Sequence, residues 1–174
     1  RSKSLQGFNL MEVVEKAGYS RSTFFRLFEG YTGFLLKGYQ LSCLLSIKVY
    51  ETYLEDQQLS LEEFCDFTAD VFYGANCTIP NEIIQMLWKE HSLTQAEFHP
   101  HLSGLASTMA GYLSRNSQTQ HLTINEAELN GVVHNLDLDI LTARLESNLD
   151  WGAPLYYQKL RNLLLGYLLT CVPH

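Results

Sequence analysis

The residues with the clearest chemical potential lie in one short stretch near the start of the chain. Arg21, Ser22, Thr23 and Arg26 place two guanidinium groups and two hydroxyls within a few positions of each other. A guanidinium can bond a guanine base through two hydrogen bonds, while hydroxyls and free backbone N–H groups hold phosphates. Presented on a short helix, this combination would suit the major groove of DNA.

Two short amphipathic helices must position these side chains. The apolar spacing predicts helices over 10–17 and 21–28, with Gly18 ending the first helix and Ser20 capping the second. The side chains expected to face inward are Leu10, Val13, Val14, Ala17, Phe24, Leu27 and Phe28. This is the spacing of a helix-turn-helix, although an ordinary corner of two helices with a solvated outer face has the same periodicity.

The stretch 17–28, AGYSRSTFFRLF, resembles the helix-turn-helix signature of the TetR family of bacterial transcription regulators. The resemblance implies a homodimer that binds a double-stranded DNA operator and responds to an unknown small-molecule effector. It implies a DNA-binding domain over 1–38, with its first helix missing or incomplete, and an all-helical ligand-binding and dimerisation domain over 39–174. The residues expected to contact DNA are Asn9, Tyr19, Ser20, Arg21, Ser22, Thr23, Phe25, Arg26 and Tyr31.

Two positions depart from that pattern, and a second family shares part of it. Phe25 stands where TetR regulators have a tyrosine that contacts a phosphate, and their usual lysine is replaced around Tyr31. The segments 18–20, 26–28 and 31–33 also resemble the second helix-turn-helix of AraC-family activators. The long helical remainder fits the TetR architecture better, and both resemblances imply sequence-specific DNA binding.

The charge distribution agrees with a small basic segment on an acidic body. The whole chain has a net charge of −7, yet residues 1–40 contain six basic and three acidic side chains. The remaining residues contain six basic and sixteen acidic side chains. We therefore expect only the first forty residues to contact a polyanion.

Composition excludes a disordered chain and argues against a membrane protein. The 174 residues are 46% hydrophobic, 12% aromatic and 18% charged, as in a globular protein. The longest apolar stretch, 163–172, has about half the length that spans a bilayer. Four cysteines stand far apart without a CxxC pair, so we expect reduced thiols in a cytoplasmic protein.

Capping patterns predict helices along the rest of the chain. Ser60, Thr94 and Thr123 each precede a glutamate by three residues, which is the spacing of a capping box. No Asn-Gly or Asp-Gly hairpin signal occurs in the sequence. We predict an all-α fold with further helices over 33–55, 61–75, 80–91, 95–116 with a break at Pro100, 124–147 and 154–171.

The body is predicted to bind a ligand and a second copy of the chain. The last two predicted helices are apolar on more than one face, which favours a dimer interface, although both could instead be central in a monomer. The expected interface residues are Leu138, Leu141, Leu145, Leu160, Leu164, Tyr167 and Leu168. Aromatic and histidine side chains indicate either core or an apolar ligand cavity. The candidate cavity residues are Phe67, Phe72, Trp88, His91, Phe98, Tyr112 and His134.

Motifs for catalysis, cofactors or metals are absent from the sequence. There is no P-loop, GxSxG or HExxH motif. The segment 97–101 has a glutamate and two histidines around a proline, a spacing that does not favour a metal site. Cys65 lacks a suitably spaced histidine, and Asp137 and Asp139 are expected to be ordinary polar positions. We predict a non-enzymatic repressor without a cofactor; the alternative is a helical small-molecule-binding or structural dimer with weak or lost DNA binding.

Overall fold

The computed structural model describes residues 10–77, 79–91, 94–146 and 154–173, and its regular structure there is entirely α-helical. The helices of these ranges are α1 (Leu10–Lys16), α2 (Arg21–Phe28), α3 (Tyr31–Glu55), α4 (Leu61–Cys77), α5 (Asn81–His91), α6 (Gln95–Phe98), α7 (Leu102–Arg115), α8 (Glu126–Leu145) and α9 (Pro154–Thr170). The all-α prediction is confirmed, and the predicted helices agree with these bounds to within a few residues. In the same ranges, no helix has both the length and the apolarity needed to cross a membrane.

A glycine turn and a serine cap set the angle between α1 and α2. Gly18 has φ +74°, a left-handed conformation that costs glycine little, and α1 ends just before it. The Ser20 hydroxyl accepts a hydrogen bond from the Thr23 backbone N–H at 3.1 Å, which caps α2. Both predicted roles, for Gly18 and for Ser20, are confirmed.

A small aromatic cluster holds α2 against α3. Phe24 is buried, and its ring lies 5.1 Å from that of Phe28 and 5.4 Å from that of Phe34, measured between centroids. Val14 of α1 is also buried. Val13, Ala17 and Leu27 were expected to face inward, but all three are exposed. Phe24 and Phe28, rather than Leu27, make the ring contacts with Phe34 of α3.

One long helix connects the N-terminal helices to the rest of the molecule. With 25 residues, α3 is about 37 Å long. It contacts α2 near its start and packs against α4, α5 and α7 further along. The predicted domain boundary at residue 38 falls inside this continuous helix, so the two parts of the chain are joined without a loop.

The buried residues of the body form two clusters. In the main cluster, α4 packs on α9 and α7 packs on α8. Its largest fully buried side chains are Tyr50, Phe64, Met109, Leu113, Leu129, Ile140 and Leu164. The second cluster joins α3, α5, α6 and α8, and its buried members are Leu36, Tyr39, Ile84, Leu87, Phe98 and Leu141.

Two of the predicted capping boxes are present. The Ser60 backbone N–H donates to the Glu63 carboxylate at 2.8 Å, and the Glu63 N–H donates to the Ser60 hydroxyl at 3.3 Å. Thr94 and Glu97 make the same reciprocal pair at 2.8 and 3.3 Å. Hydrogen bonds from Ser60 hold the pKa of the exposed Glu63 carboxyl below its usual value of 4.5.

The third predicted box is wrong in its choice of cap. Asn125, rather than Thr123, caps α8, and its side-chain oxygen accepts from the backbone N–H of Ala127 at 3.0 Å. Glu126 bonds the hydroxyl of Ser107 on α7 instead of reaching back to Thr123. Asparagine is at least as good a cap as threonine, and the contact with α7 decides the role of Glu126.

Candidate functional site

The outer face of α2 is a basic and aromatic surface. Arg21, Ser22 and Arg26 are exposed on it, and Thr23 is half-buried beside the cap. Phe25 is 44% exposed, and the Arg21 guanidinium carbon lies 5.6 Å from the centroid of its ring. This cation–π distance orients the guanidinium on the helix surface while leaving its N–H donors available.

Hydroxyl groups converge at the N-terminus of α2. The Ser20 oxygen lies 2.9 Å from the Ser22 hydroxyl oxygen and 2.9 Å from the Thr23 hydroxyl oxygen. The first turn of α2 contains no acidic residue. A helix N-terminus has a partial positive charge and unpaired N–H groups, so this end of α2 is compatible with an anion such as a phosphate.

The remaining predicted DNA-contacting residues lie around α2. Tyr19 is exposed in the turn before the helix, and Tyr31 is half-buried at the start of α3. Asn9 lies outside the described residues. The structure therefore brings the hydroxyls of Ser22 and Thr23 and both arginines onto α2, with Tyr19 in the turn just before it.

A cavity of about 70 Å³ lies between α3, α4, α7 and α8. Its wall is overwhelmingly apolar and includes Ile47, Val71, Phe72, Leu102 and Leu105. The cavity lies where the main and second clusters meet, since Tyr39 and Cys43 contribute from one side and Tyr50 from the other.

Three buried polar side chains line this cavity and are joined by two hydrogen bonds, an arrangement called the relay below. The Tyr39 hydroxyl of α3 is hydrogen-bonded to Nε2 of His99. The Nδ1 atom of His99 lies 2.7 Å from the Asp137 carboxylate of α8. Tyr39 and His99 are each 7% exposed and Asp137 is 3% exposed, so the relay joins three separate elements inside the protein.

The helix break at Pro100 places His99 in the interior. α6 ends at Phe98 and α7 begins at Leu102, as the predicted break requires. Phe98 is fully buried, and its ring lies 4.9 Å from that of Tyr39 between centroids. The irregular residues between the two helices thus turn His99 toward α3 and α8.

The interpretation of Asp137 as an ordinary polar position is wrong. Asp137 is buried against His99, whereas Asp139 forms a 2.6 Å ion pair with Lys159 at the surface. A helix turns by about 100° per residue, so residues two apart face opposite sides, and the inward side of α8 here contains an aspartate. The hydrogen bond with His99 gives the buried Asp137 side chain a polar partner.

Burial determines the protonation of the other polar groups in the wall. Desolvation by burial raises the pKa of the Tyr39 hydroxyl far above its usual value of 10.0, and the neighbouring Cys43 adds to the effect. Desolvation likewise raises the pKa of the Cys43 thiol to about 11. At neutral pH both groups therefore keep their protons, and Cys43 is a thiol rather than a nucleophilic thiolate.

Of the seven predicted cavity residues, Phe72 lines the cavity. Phe98 lies behind the relay, and Trp88 packs edge-to-face on it at 5.6 Å between centroids. Phe67 stacks on Tyr53 of α3 at 4.1 Å. Phe67, Trp88 and Phe98 therefore lie in the core around the cavity rather than in its wall.

The other three predicted cavity residues do not line it. Tyr112 accepts a hydrogen bond from the backbone N–H of Leu59 at 2.9 Å and thereby fixes the loop before α4. His134 is half-buried on α8. The side chain of His91 lies outside the described part of the structure. Sequence reasoning missed Tyr39 and His99, for which the only local signal was the proline that follows the histidine.

The structure divides the predicted interface residues into buried and exposed positions. Leu141, Leu160, Leu164 and Leu168 are buried within the single chain. They are core positions, a correction to their assignment, because side chains that are at most 2% exposed offer almost no surface to a second copy. Of the remaining predicted interface residues, Leu145 and Tyr167 are half-buried and Leu138 is exposed.

The exposed apolar face of α8 and α9 contains Leu138, which was predicted, and Leu163, which was not. Leu138, Leu163 and Leu169 are 45%, 47% and 55% exposed. Leu138 and Leu163 also line a shallow surface groove together with Val132. This face, rather than the buried leucines, is available for contact with another molecule.

Comparisons with known proteins give no relative. No family model, no curated protein and no solved structure matches the chain. Among the described residues, no three or more histidine, cysteine, aspartate or glutamate side chains are grouped so as to hold a metal ion.

Proposed function

We propose that the chain is a ligand-responsive, DNA-binding transcription regulator that acts as a homodimeric repressor. The observation that supports this most directly is the outer face of α2, where Arg21 and Arg26 are exposed beside a capped, acid-free helix N-terminus. Arginines supply base and phosphate contacts, and a helix N-terminus supplies N–H donors for phosphate.

Charge distribution supports DNA as the partner of this face. The net positive charge of residues 1–40 contrasts with the strongly acidic remainder. A polyanion would therefore be attracted to α2 and repelled by the body, which orients the encounter. Arg21, nearer the N-terminus of α2, is proposed to bond base edges, and Arg26 is proposed to contact the backbone.

Continuity of α3 supports a response to a ligand. The helix that packs on α2 through Phe34 also contributes Tyr39, Cys43 and Tyr50 to the cavity wall. A molecule that binds the cavity more tightly in one orientation of α3 would favour that orientation of α2 as well. Such a population shift changes DNA affinity without contact between the two sites.

The exposed apolar face of α8 and α9 supports a homodimer. A single α2 would contact one half of an operator. A two-fold dimer places the second α2 about one helical turn further along the DNA, at the other half. Charged residues introduced at Leu163 should give monomers by sedimentation, whereas a charge at the buried Leu164 should unfold the chain. A Leu163→Asp variant that remains fully dimeric would contradict this interface.

Selection of bound fragments from random DNA, followed by fluorescence anisotropy, tests DNA binding. Arg21→Ala should cost about 1–3 kcal/mol on the selected sequence and relax preference at one or two base pairs. Arg26→Ala should weaken all sequences alike and reduce the salt slope by about one per bound copy. Lys48→Ala, which removes an exposed charge of α3, is the matched control and should change neither property.

The second candidate is a helical dimer that binds a small molecule without binding DNA. The observation that favours it is Phe25, which exposes a ring without a hydroxyl at the position of a phosphate contact in the TetR family, which this segment resembles. Failure to select any sequence at low salt, together with retained ligand binding, would support this candidate. Equal losses on selected and random DNA for Arg21→Ala would show that the base-contacting face is misplaced.

A further inference from the structure

Arg21 and Phe25 place a cation and an apolar ring side by side on α2. They are four residues apart, so their side chains lie one helical turn from each other on the same side of the helix. The guanidinium carbon of Arg21 lies 5.6 Å from the centroid of the Phe25 ring. The Phe25 ring in turn packs edge-to-face on the buried Phe24, at 5.7 Å between centroids. Phe24 therefore supports the ring, and the ring supports the guanidinium.

The Phe25 ring is the apolar component of this basic surface. It is 44% exposed, and it has no polar atom that could bond a phosphate or a base edge. Contact with another apolar group would remove the ring from water and is therefore favourable. In the major groove of DNA, the C5-methyl group of thymine is the apolar group that a base pair displays. An apolar ring on a helix in that groove thus favours thymine.

The Arg21 guanidinium favours a different base. Its contact with the ring leaves its N–H donors available for hydrogen bonds. The first turn of α2 contains no acidic residue that would compete for these donors. Guanine displays two acceptors, N7 and O6, side by side in the major groove, and one arginine can bond both. Arg21 therefore favours guanine.

We propose that the Arg21–Phe25 pair recognises a guanine and a thymine at most two base-pair steps apart, with Arg21 bonded to guanine N7 and O6 and the Phe25 ring against the thymine methyl group. The spacing follows from the 5.6 Å between the two groups, since successive base pairs are about 3.4 Å apart. This proposal rests on the DNA-binding function proposed above and names two bases that the operator contains. Phe25 is then a residue that determines specificity, although it cannot bond a phosphate.

Base analogues that each lack one group test the two contacts. Uracil lacks the methyl group of thymine, and 7-deazaguanine lacks the N7 acceptor of guanine. In a duplex selected from random DNA, each thymine of one half of the operator is replaced in turn by uracil and each guanine by 7-deazaguanine. Affinity for the full chain is measured by fluorescence anisotropy at one salt concentration. We expect one uracil to weaken binding about fourfold, the effect of one buried methyl group. One 7-deazaguanine, at most two base-pair steps away, should weaken it about three- to tenfold, the effect of one hydrogen bond.

Substitutions on α2 assign each effect to its side chain. Phe25→Ala should bind the thymine and uracil duplexes equally, while Phe25→Tyr, which retains the ring, should keep the difference between them. Arg21→Ala should be insensitive to 7-deazaguanine. Leu27→Ala is the matched control, because it removes an exposed apolar side chain from the opposite side of the same helix. This control should keep both differences.

The outcomes separate the thymine contact from DNA binding itself. If a sequence is selected but no uracil weakens binding, or if Phe25→Ala remains sensitive to uracil, the thymine contact is wrong while DNA binding stands. A sensitive thymine and a sensitive guanine further than two base-pair steps apart would also overturn the proposal. If no sequence is selected at low salt, the DNA-binding function and the contact fail together. If Phe25→Ala does not fold, the uracil and 7-deazaguanine scans of the unmodified chain still decide.

Discussion

Replacing Asp137 by alanine removes the carboxylate that accepts the 2.7 Å hydrogen bond from His99. His99 and Asp137 are 7% and 3% exposed, so the donor is left in the interior of the protein. A buried donor left unsatisfied costs about 1–3 kcal/mol, and more when a charged group is involved. We therefore expect Asp137→Ala to lower the free energy of unfolding by about 2–3 kcal/mol. For a chain of this size, that corresponds to a fall of about 5–10 °C in Tm.

Asp139→Ala is the matched control, since it removes the same side chain two residues away on the same helix. Asp139 pairs with Lys159 at 2.6 Å, but both side chains are almost half exposed. Exposed ion pairs contribute about 0–1 kcal/mol, so this variant should be close to unmodified stability. Asp137→Asn, which keeps a side-chain oxygen as acceptor, should fall between the two.

Urea unfolding followed by circular dichroism gives the three free energies, at one fixed protein concentration because dimerisation would contribute to stability. The slopes of the transitions should agree among variants, so that midpoints report stability. If Asp137→Ala and Asp139→Ala cost the same, the buried relay does not stabilise the fold and the argument for His99 as its partner fails.

Four further substitutions test other parts of the molecule. A Cβ atom on Gly33 would overlap the backbone carbonyl of Phe28, so Gly33→Ala should displace α2 and abolish DNA binding in anisotropy assays. Gly38→Ala, which meets open space on the same helix, should instead stabilise by about 0.5–1 kcal/mol in thermal melts. Phe25→Tyr should tighten DNA binding by about 1 kcal/mol per bound copy through one phosphate hydrogen bond, and an unchanged affinity would contradict that contact. The pKa of Glu63 is lowered in the folded state, so its cap stabilises the fold above pH 4.5 and this stabilisation is lost on acidification. Glu63→Gln should therefore lose less stability to urea than the unmodified chain when the pH falls through this range. An equal loss would contradict the capping role.

Local signals in the sequence were sufficient to predict the helices and several of their ends. Gly18, Ser20 and the Ser60–Glu63 pair act through neighbours within three or four residues, so their roles follow from spacing alone. Thr123 shows the limit of such patterns, because Asn125 is a competing cap and Glu126 has a partner on α7. The choice between two adequate caps depends on contacts that the local sequence does not contain.

The relay could not be predicted because its members are distant in sequence. Tyr39, His99 and Asp137 meet only when three helices pack, and each residue alone is unremarkable in its local pattern. Hydrophobic periodicity has a related limit. It marked Leu160 and Leu164 as apolar stripe positions, yet the same stripe is expected whether the surface that covers them belongs to the chain itself or to a second copy.

Division of the buried side chains into two clusters has a consequence for local opening of the fold. The second cluster depends on the short helices α5 and α6 and contains far fewer buried residues than the main cluster. Regions with less buried apolar surface open at lower free energy. We therefore expect amide hydrogens of α5 and α6 to exchange faster than those of α7 and α9. Because Tyr39 belongs to the second cluster and Tyr50 to the main one, a molecule held between them would slow exchange in α5 and α6 and join the two clusters into one cooperative unit.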